Sequence, residues 1–240
     1  MGSTSATDPD PWREQQVRAA LARVTERVGR ACAEVGRDPQ ELTVVVVTKT
    51  YPAADVRVLH RLGVRDVGEN RAQEAAGKAG DCADLDLRWH FVGRLQSNKA
   101  RSVASFAAMV HSVDRPEVAT ALGRGARAAG RTLDCLLQVS LDGDPSRGGV
   151  GPAEAPALAA SVAAEDGLRL RGVMAVAPLR VDPDHAFAVL PVLVDRLRGN
   201  HPGLDVVSAG MSGDLEAAVR HGATHLRVGS AILGTRPLLG

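Results

Sequence analysis

Short apolar runs alternate with longer segments of helical period from residue 42 almost to the carboxyl end. This rhythm constrains the chain more than any other feature. The first run, 42–47, is continuous and rich in valine, as expected of a strand buried on both faces. Further strands are predicted over 64–67, 88–92, 109–113, 133–139, 168–173, 204–208 and 225–228. Helices are predicted between them over 53–62, 71–78, 98–106, 116–129, 152–164, 183–197 and 215–221. Such alternation implies a parallel sheet. About eight units in 240 residues fit a closed TIM-type (β/α)8 barrel better than an open doubly wound sheet. No Gly-x-Gly-x-x-Gly follows the first strand, which weakens the dinucleotide-binding alternative. An extra helix is predicted over 12–35, with Val17, Ala20, Leu21, Val24 and Val28 on one face. Residues 1–11 read as a disordered tail, leaving 12–240 as one barrel domain.

Composition narrows the function. The formal net charge is +1, which disfavours a nucleic-acid binder that relies on a strong positive field. No apolar run has membrane-spanning length, and Met1 opens no signal-peptide pattern. Cys32, Cys82 and Cys135 are widely spaced and form neither a metal cluster nor a disulfide framework, which suits a reducing cytoplasm.

In barrels of this kind the chemistry gathers at the carboxyl ends of the strands. Lys49 directly follows the first apolar strand. An ammonium there is expected to be partly desolvated, which lowers its pKa and frees an amine able to attack an aldehyde. A lysine that reaches out to solvent or to a carboxylate is the competing reading. Met211-Ser212-Gly213 and Gly229-Ser230-Ala231 follow the seventh and eighth strands. Each offers a hydroxyl and backbone N–H groups, the parts of an anion site, at the two strand ends that often hold phosphate in TIM barrels. Ordinary serine caps are the alternative. Arg227 lies inside the last strand, where a guanidinium needs a ligand or a carboxylate. Lysine at strand one and a phosphate cup at strands seven and eight become neighbours when the barrel closes, so a phosphorylated aldehyde would fit between them.

Other polar residues carry weaker signals. His90 and His111 read as core or rim histidines, without metal-pair spacing. Glu69 and Asp114 read as members of rim salt bridges, and 146–150 as either a lid or a turn.

Several segments go further. Val46-Val47-Thr48-Lys49-Thr50, Gly68-Glu69-Asn70, Trp89-His90-Phe91-Val92-Gly93 with Leu95-Gln96-Ser97-Asn98-Lys99, Ser112-Val113-Asp114, the stretch from Gly210 to Ala218 and that from Arg227 to Gly234 resemble the YggS/PROSC family of pyridoxal 5′-phosphate (PLP) homeostasis proteins. The resemblance covers nearly the whole chain after the tail. It implies a barrel like the amino-terminal domain of alanine racemase and PLP held as a Schiff base on Lys49. It also implies phosphate around Ser212, Gly229 and Ser230, Arg227 at the pyridine nitrogen, and Asn70 and Met211 lining the pocket. Thr48 and Ser230 depart from the serine and threonine usual there, and both keep a hydroxyl.

An arginine at the pyridine nitrogen leaves the ring a poor electron sink. The chain ends straight after the last barrel unit, so the second domain that supplies a racemase's opposing base is expected to be missing. Tyr51, the single tyrosine, reads as a rim residue. The expected function is therefore a non-catalytic, monomeric PLP carrier supporting vitamin B6 and amino-acid balance and delivering PLP to apo-enzymes. A small PLP-dependent amino-acid racemase is the alternative.

Overall fold

The computed structural model describes residues 11–144 and 147–234. Eight parallel strands close into a barrel in chain order: β1 Thr43–Val47, β2 Asp66–Glu69, β3 Arg88–Phe91, β4 Met109–Val113, β5 Leu133–Val139, β6 Leu168–Ala175, β7 Val206–Ser208 and β8 His225–Val228. Pairing of β8 with β1 completes the ring, with Val45 opposite Arg227 and Val46 opposite Val228. The helices are α1 Pro11–Glu34, α2 Ala53–Arg61, α3 Ala72–Asp81, α4 Ala100–Phe106, α5 Pro116–Ala128, α6 Ala155–Ala163, α7 Pro183–Phe187, α8 Val189–Arg198, α9 Leu215–Arg220 and α10 Ser230–Leu233.

The outward residues of the strands pack under the helices. Val46, Phe91, Val110, Leu137, Val207, Leu226 and Val228 belong to one large apolar cluster with the helical side chains. Side chains alternate along a strand, so their immediate neighbours point into the barrel. The inward set is mixed. Met109, Leu136, Met174 and Val206 form a small apolar cluster of their own. His90, His111, Ser208 and Arg227 are inward, polar and buried.

Among the expected boundaries that move, three stand out. The second strand runs over 66–69 rather than 64–67. Gly63 takes φ +90° and donates to the His60 carbonyl, while the Val64 N–H bonds Leu59 O. That pair of bonds is a Schellman cap, which ties Val64 to the end of α2 instead of the sheet. The single helix expected over 183–197 is two, α7 and α8. Pro191 has no N–H for the carbonyl of Phe187 four residues earlier, and its ring crowds that carbonyl, so the helix breaks there. Helix α1 starts at Pro11, within the stretch read as tail; residues 1–10 lie outside the described residues, as do 145 and 146 of the expected loop and 235–240.

Helix α1 buries Val17, Val24, Val28 and Cys32 against the barrel, roughly 1.5–3 kcal/mol for each valine. It also braces the strand ends. Arg27 grips Glu216 of α9 through two bonds of 2.7 and 2.9 Å and donates to the Ser212 carbonyl at 3.0 Å.

Candidate functional site at the barrel mouth

Lys49 occupies a tight turn just beyond β1. Tyr51 N–H donates to Thr48 O at 3.0 Å, and Thr50 has φ +69°, the single positive value among described non-glycine residues. That is a type II turn with a β-branched residue where glycine is usual, so surrounding bonds must hold it. Glu74 accepts the Thr50 N–H at 2.6 Å, and Lys78 donates to Thr48 O at 2.7 Å. Lys78 also bonds Glu74 and Glu69, both at 2.7 Å, and the Thr48 hydroxyl donates to Glu69 Oε1 at 2.5 Å. Burial pushes the Glu69 carboxyl up, against the pull of Lys78 and Thr48. Glu69 therefore sits in a buried network under the lysine turn, not in a rim salt bridge. Asp114 does pair at the rim, with Arg115 at 2.5 Å.

Lys49 itself is exposed and has no hydrogen bond or ion pair among the described residues. The burial expected of a side chain next to an apolar strand is therefore absent. The turn lifts Lys49 clear of the strand, so the apolar residues before it do not enclose it.

Across the β1–β8 seam lie the two serine turns. Ser230 is two residues beyond Val228, level with Thr48 by the pairing register. Ser212 lies four residues past Ser208, as Gly229 lies four past its partner His225. The turns meet: Ser230 Oγ donates to Ser212 Oγ at 3.2 Å, and Ala231 N–H donates to the same oxygen at 3.2 Å. A Cβ on Gly229 would come within 3.2 Å of the Val47 carbonyl, so glycine lets this turn close on β1. Met211 is more than a third exposed, and its N–H bonds Asp214 Oδ1 at 2.5 Å.

Arg227 is buried beneath these turns. It donates to Ser208 Oγ at 2.6 Å and to the Ala175 carbonyl at 2.9 Å. Burial lowers its pKa to about 10, partly offset by Asp214, so it stays cationic at neutral pH. On the other flank, Asn70 directly follows β2, and its Oδ1 is buried without a hydrogen-bond partner among the described residues. A cavity of about 840 Å³ opens beside it, lined by Asn70, Arg71, Glu74, Arg94, Gln96, Lys99 and Arg115 among others. It borders the lysine turn through Glu74 but does not reach Ser212 or Ser230.

Sequence reasoning did not connect the residues below Arg227. His90 Nε2 lies 2.9 Å from Asp66 Oδ1, His90 Nδ1 lies 2.9 Å from His111 Nε2, and His111 Nδ1 lies 2.8 Å from Ser208 Oγ. The signal was present in Trp89-His90-Phe91, Val207-Ser208 and Leu226-Arg227-Val228, where a polar residue adjoins outward apolar ones. Tyr51 donates to the Gly234 carbonyl at 2.5 Å, beside Arg13, as a rim residue would.

The family described as alanine racemase, N-terminal domain, matches residues 20–237. A pyridoxal phosphate homeostasis protein of Mycobacterium tuberculosis is 44% identical over 247 aligned positions, covering 95% of this chain and 96% of that one. The chain belongs to the pyridoxal phosphate homeostasis protein family. Another relative in this family, from Escherichia coli K12, is 38% identical and covers 90% of this chain and 95% of its own. Among solved structures, PipY of Synechococcus elongatus PCC7942 with PLP bound superposes at TM-score 0.80 with 35% identity, covering 91% of this chain and all of that one. Alanine racemase of Clostridium difficile 630 superposes at 0.71 with 13% identity, and 57% of it is covered; that likeness concerns the barrel alone.

Proposed function

We propose that this chain carries PLP in the barrel mouth and has no robust catalytic activity of its own. The observation that carries the reading is the placement, at the adjacent ends of β7, β8 and β1, of an amine without a partner among the described residues, two converging serine turns and a buried guanidinium. The groups suit the cofactor one by one. Lys49 would hold its aldehyde carbon as a Schiff base, and the hydroxyls and N–H groups around Ser212, Gly229 and Ser230 would hold its phosphate. Arg227 would face the ring nitrogen. The buried, unpartnered oxygen of Asn70 is a free acceptor for a donor on the ligand, and Met211 lines the same mouth. A 35% identical relative solved with PLP bound supports the assignment.

PLP supplies an electrophilic aldehyde and an electron-withdrawing ring. Arg227 would limit the second property: a guanidinium that stays charged would donate to the ring nitrogen and leave it without a proton, which would weaken the ring as an electron sink. The Tyr51 hydroxyl is engaged by Gly234 O and is not poised as a base. The relatives' name, homeostasis protein, accords with storage and delivery. In this reading the chain is a cytoplasmic monomer that hands PLP to apo-enzymes. Its described cysteines are all free and buried, which suits a reducing compartment, and no described helix is long and apolar enough to cross a membrane.

Titration of the purified protein with PLP should raise a visible absorption band. The band should vanish on borohydride reduction and fail to form in Lys49→Ala. A Lys49→Ala variant that keeps the reducible band would overturn the attachment. Incubation with single L-amino acids followed by chiral analysis tests the rest, because sustained racemisation above that of free PLP would make the protein an enzyme.

A further inference from the structure

We propose that Asp66, His90, His111 and Ser208 are positioning residues for Arg227. They form a one-way hydrogen-bond chain through the inside of the barrel that presents the Ser208 oxygen as a fixed acceptor to the guanidinium.

The direction follows from the chemistry of each link. Asp66 is anchored at the start of β2 by Arg88, which bonds both carboxylate oxygens at 2.7 and 2.5 Å. Burial opposes its ionisation, but the bonds from His90 and Arg88 outweigh it and hold the carboxyl below the usual carboxylate range. An ionised carboxylate only accepts, so His90 donates from Nε2. Ser208 receives Arg227 on its oxygen and so places its hydroxyl hydrogen on His111 Nδ1, which leaves the His111 proton on Nε2, donated to His90 Nδ1. His111 is wholly buried, and burial, with the nearby Arg227 guanidinium, holds it neutral. Its Nδ1 is thus an acceptor, and the Ser208 hydroxyl donates to it. The lone pairs of Ser208 are left for Arg227, which donates at 2.6 Å. Run the other way, His111 and Arg227 would both donate to Ser208, and its hydroxyl hydrogen would have no acceptor among these bonds.

Other charged and titratable groups face the chain without breaking it. The His225 ring centroid lies 6.2 Å from that of His90 and 6.4 Å from that of His111, and burial lowers its pKa to about 4, so it is neutral at pH 7. The guanidinium is thus oriented, through four hydrogen bonds, by a carboxylate at the start of β2. Low local dielectric strengthens each link, and a fully satisfied buried network holds its members in one arrangement.

The consequence for PLP rests on the proposed function, but the direction of the chain does not, so the experiment reads the two separately. Nitrogen-15 histidine NMR of the PLP-free protein at pH 7 should show His90 and His111 as neutral Nε2–H tautomers. In Asp66→Ala the anchor is gone, and the His111 signal should move toward the Nδ1–H form. Ser208→Ala should leave the His90 tautomer unchanged, and it should raise the PLP dissociation constant roughly tenfold, the effect of one lost hydrogen bond to a charged group. Ser208→Thr, which keeps the hydroxyl, should restore most of that affinity. A wild-type His111 that is charged or Nδ1–H overturns the proposal, as does an Asp66→Ala protein with an unchanged His111 signal. If Asp66→Ala does not fold, the wild-type spectrum and the Ser208 pair decide. A wild-type protein that shows the expected tautomers but binds no PLP would instead sink the proposed function.

Discussion

Lys78 Nζ lies 2.7 Å from Glu69 Oε1, with the two side chains only 8% and 1% exposed. Removing one member of such a pair leaves a charge in the protein interior, and the second Glu69 oxygen is already buried without a partner. Lys78→Ala should therefore cost roughly 3 kcal/mol or more in urea unfolding. It should also lower the yield of borohydride-trapped PLP, because Lys78 ties down the turn that carries Lys49. The double variant Lys78→Met with Glu69→Gln should recover much of the stability. A cost below about 1 kcal/mol in the single variant would show that the pair is better hydrated than its burial implies.

Gly93 packs directly on the backbone that presents Asn70. A Cβ there would fall 2.1 Å from the Asn70 carbonyl oxygen and 2.6 Å from its Cα, so the strand end must move. Gly93→Ala should destabilise the fold by about 2 kcal/mol or more, read as a lower melting temperature. PLP affinity should fall with it. A variant that melts lower yet binds PLP as before would remove Asn70 from the site.

Arg227→Ala should weaken cofactor retention by at least roughly tenfold, measured as PLP remaining after dialysis. Arg227→Lys should not restore it, since an ammonium cannot reproduce the paired bonds to Ser208 and the Ala175 carbonyl. Unchanged occupancy in the alanine variant would count against the assigned pocket.

His225 should make the protein less stable in mild acid. Burial lowers its folded-state pKa from 6.5 to about 4, so between those values the unfolded chain binds the extra proton. Stability is then lost as pH falls from 6.5 toward 4, by an order of 3 kcal/mol when complete. His111 is shifted the same way, whereas Glu69, with its raised pKa, works in the opposite sense. Comparison with His225→Asn isolates the effect: urea midpoints measured at pH 7 and pH 5 should diverge less in the variant. Equal divergence would mean that His225 is hydrated in solution.

Much of the architecture was legible in the residue order. The strand–helix rhythm, the parallel closed barrel and the leading helix all follow from apolar periodicity, which depends on neighbours in sequence. The misplaced boundaries have local causes that a pattern of hydrophobicity does not register. Val64 is β-branched and apolar, yet the left-handed Gly63 folds it back onto α2. Leu190 and Leu193 continue the helical stripe of 183–197, yet Pro191 between them has no N–H to donate to the Phe187 carbonyl.

By itself the sequence determined the barrel, the order of its strand ends and the residue types placed on them, because one side chain following one apolar run is a local fact. Tertiary structure alone decided which of those residues share surroundings. It set Lys49 out in solvent, buried Glu69 with Lys78, and joined Asp66 of β2 to Arg227 of β8 through two histidines and a serine on β3, β4 and β7. Burial and hydrogen-bond direction arise from groups far apart along the chain, and only closure of the barrel brings them within reach of one another.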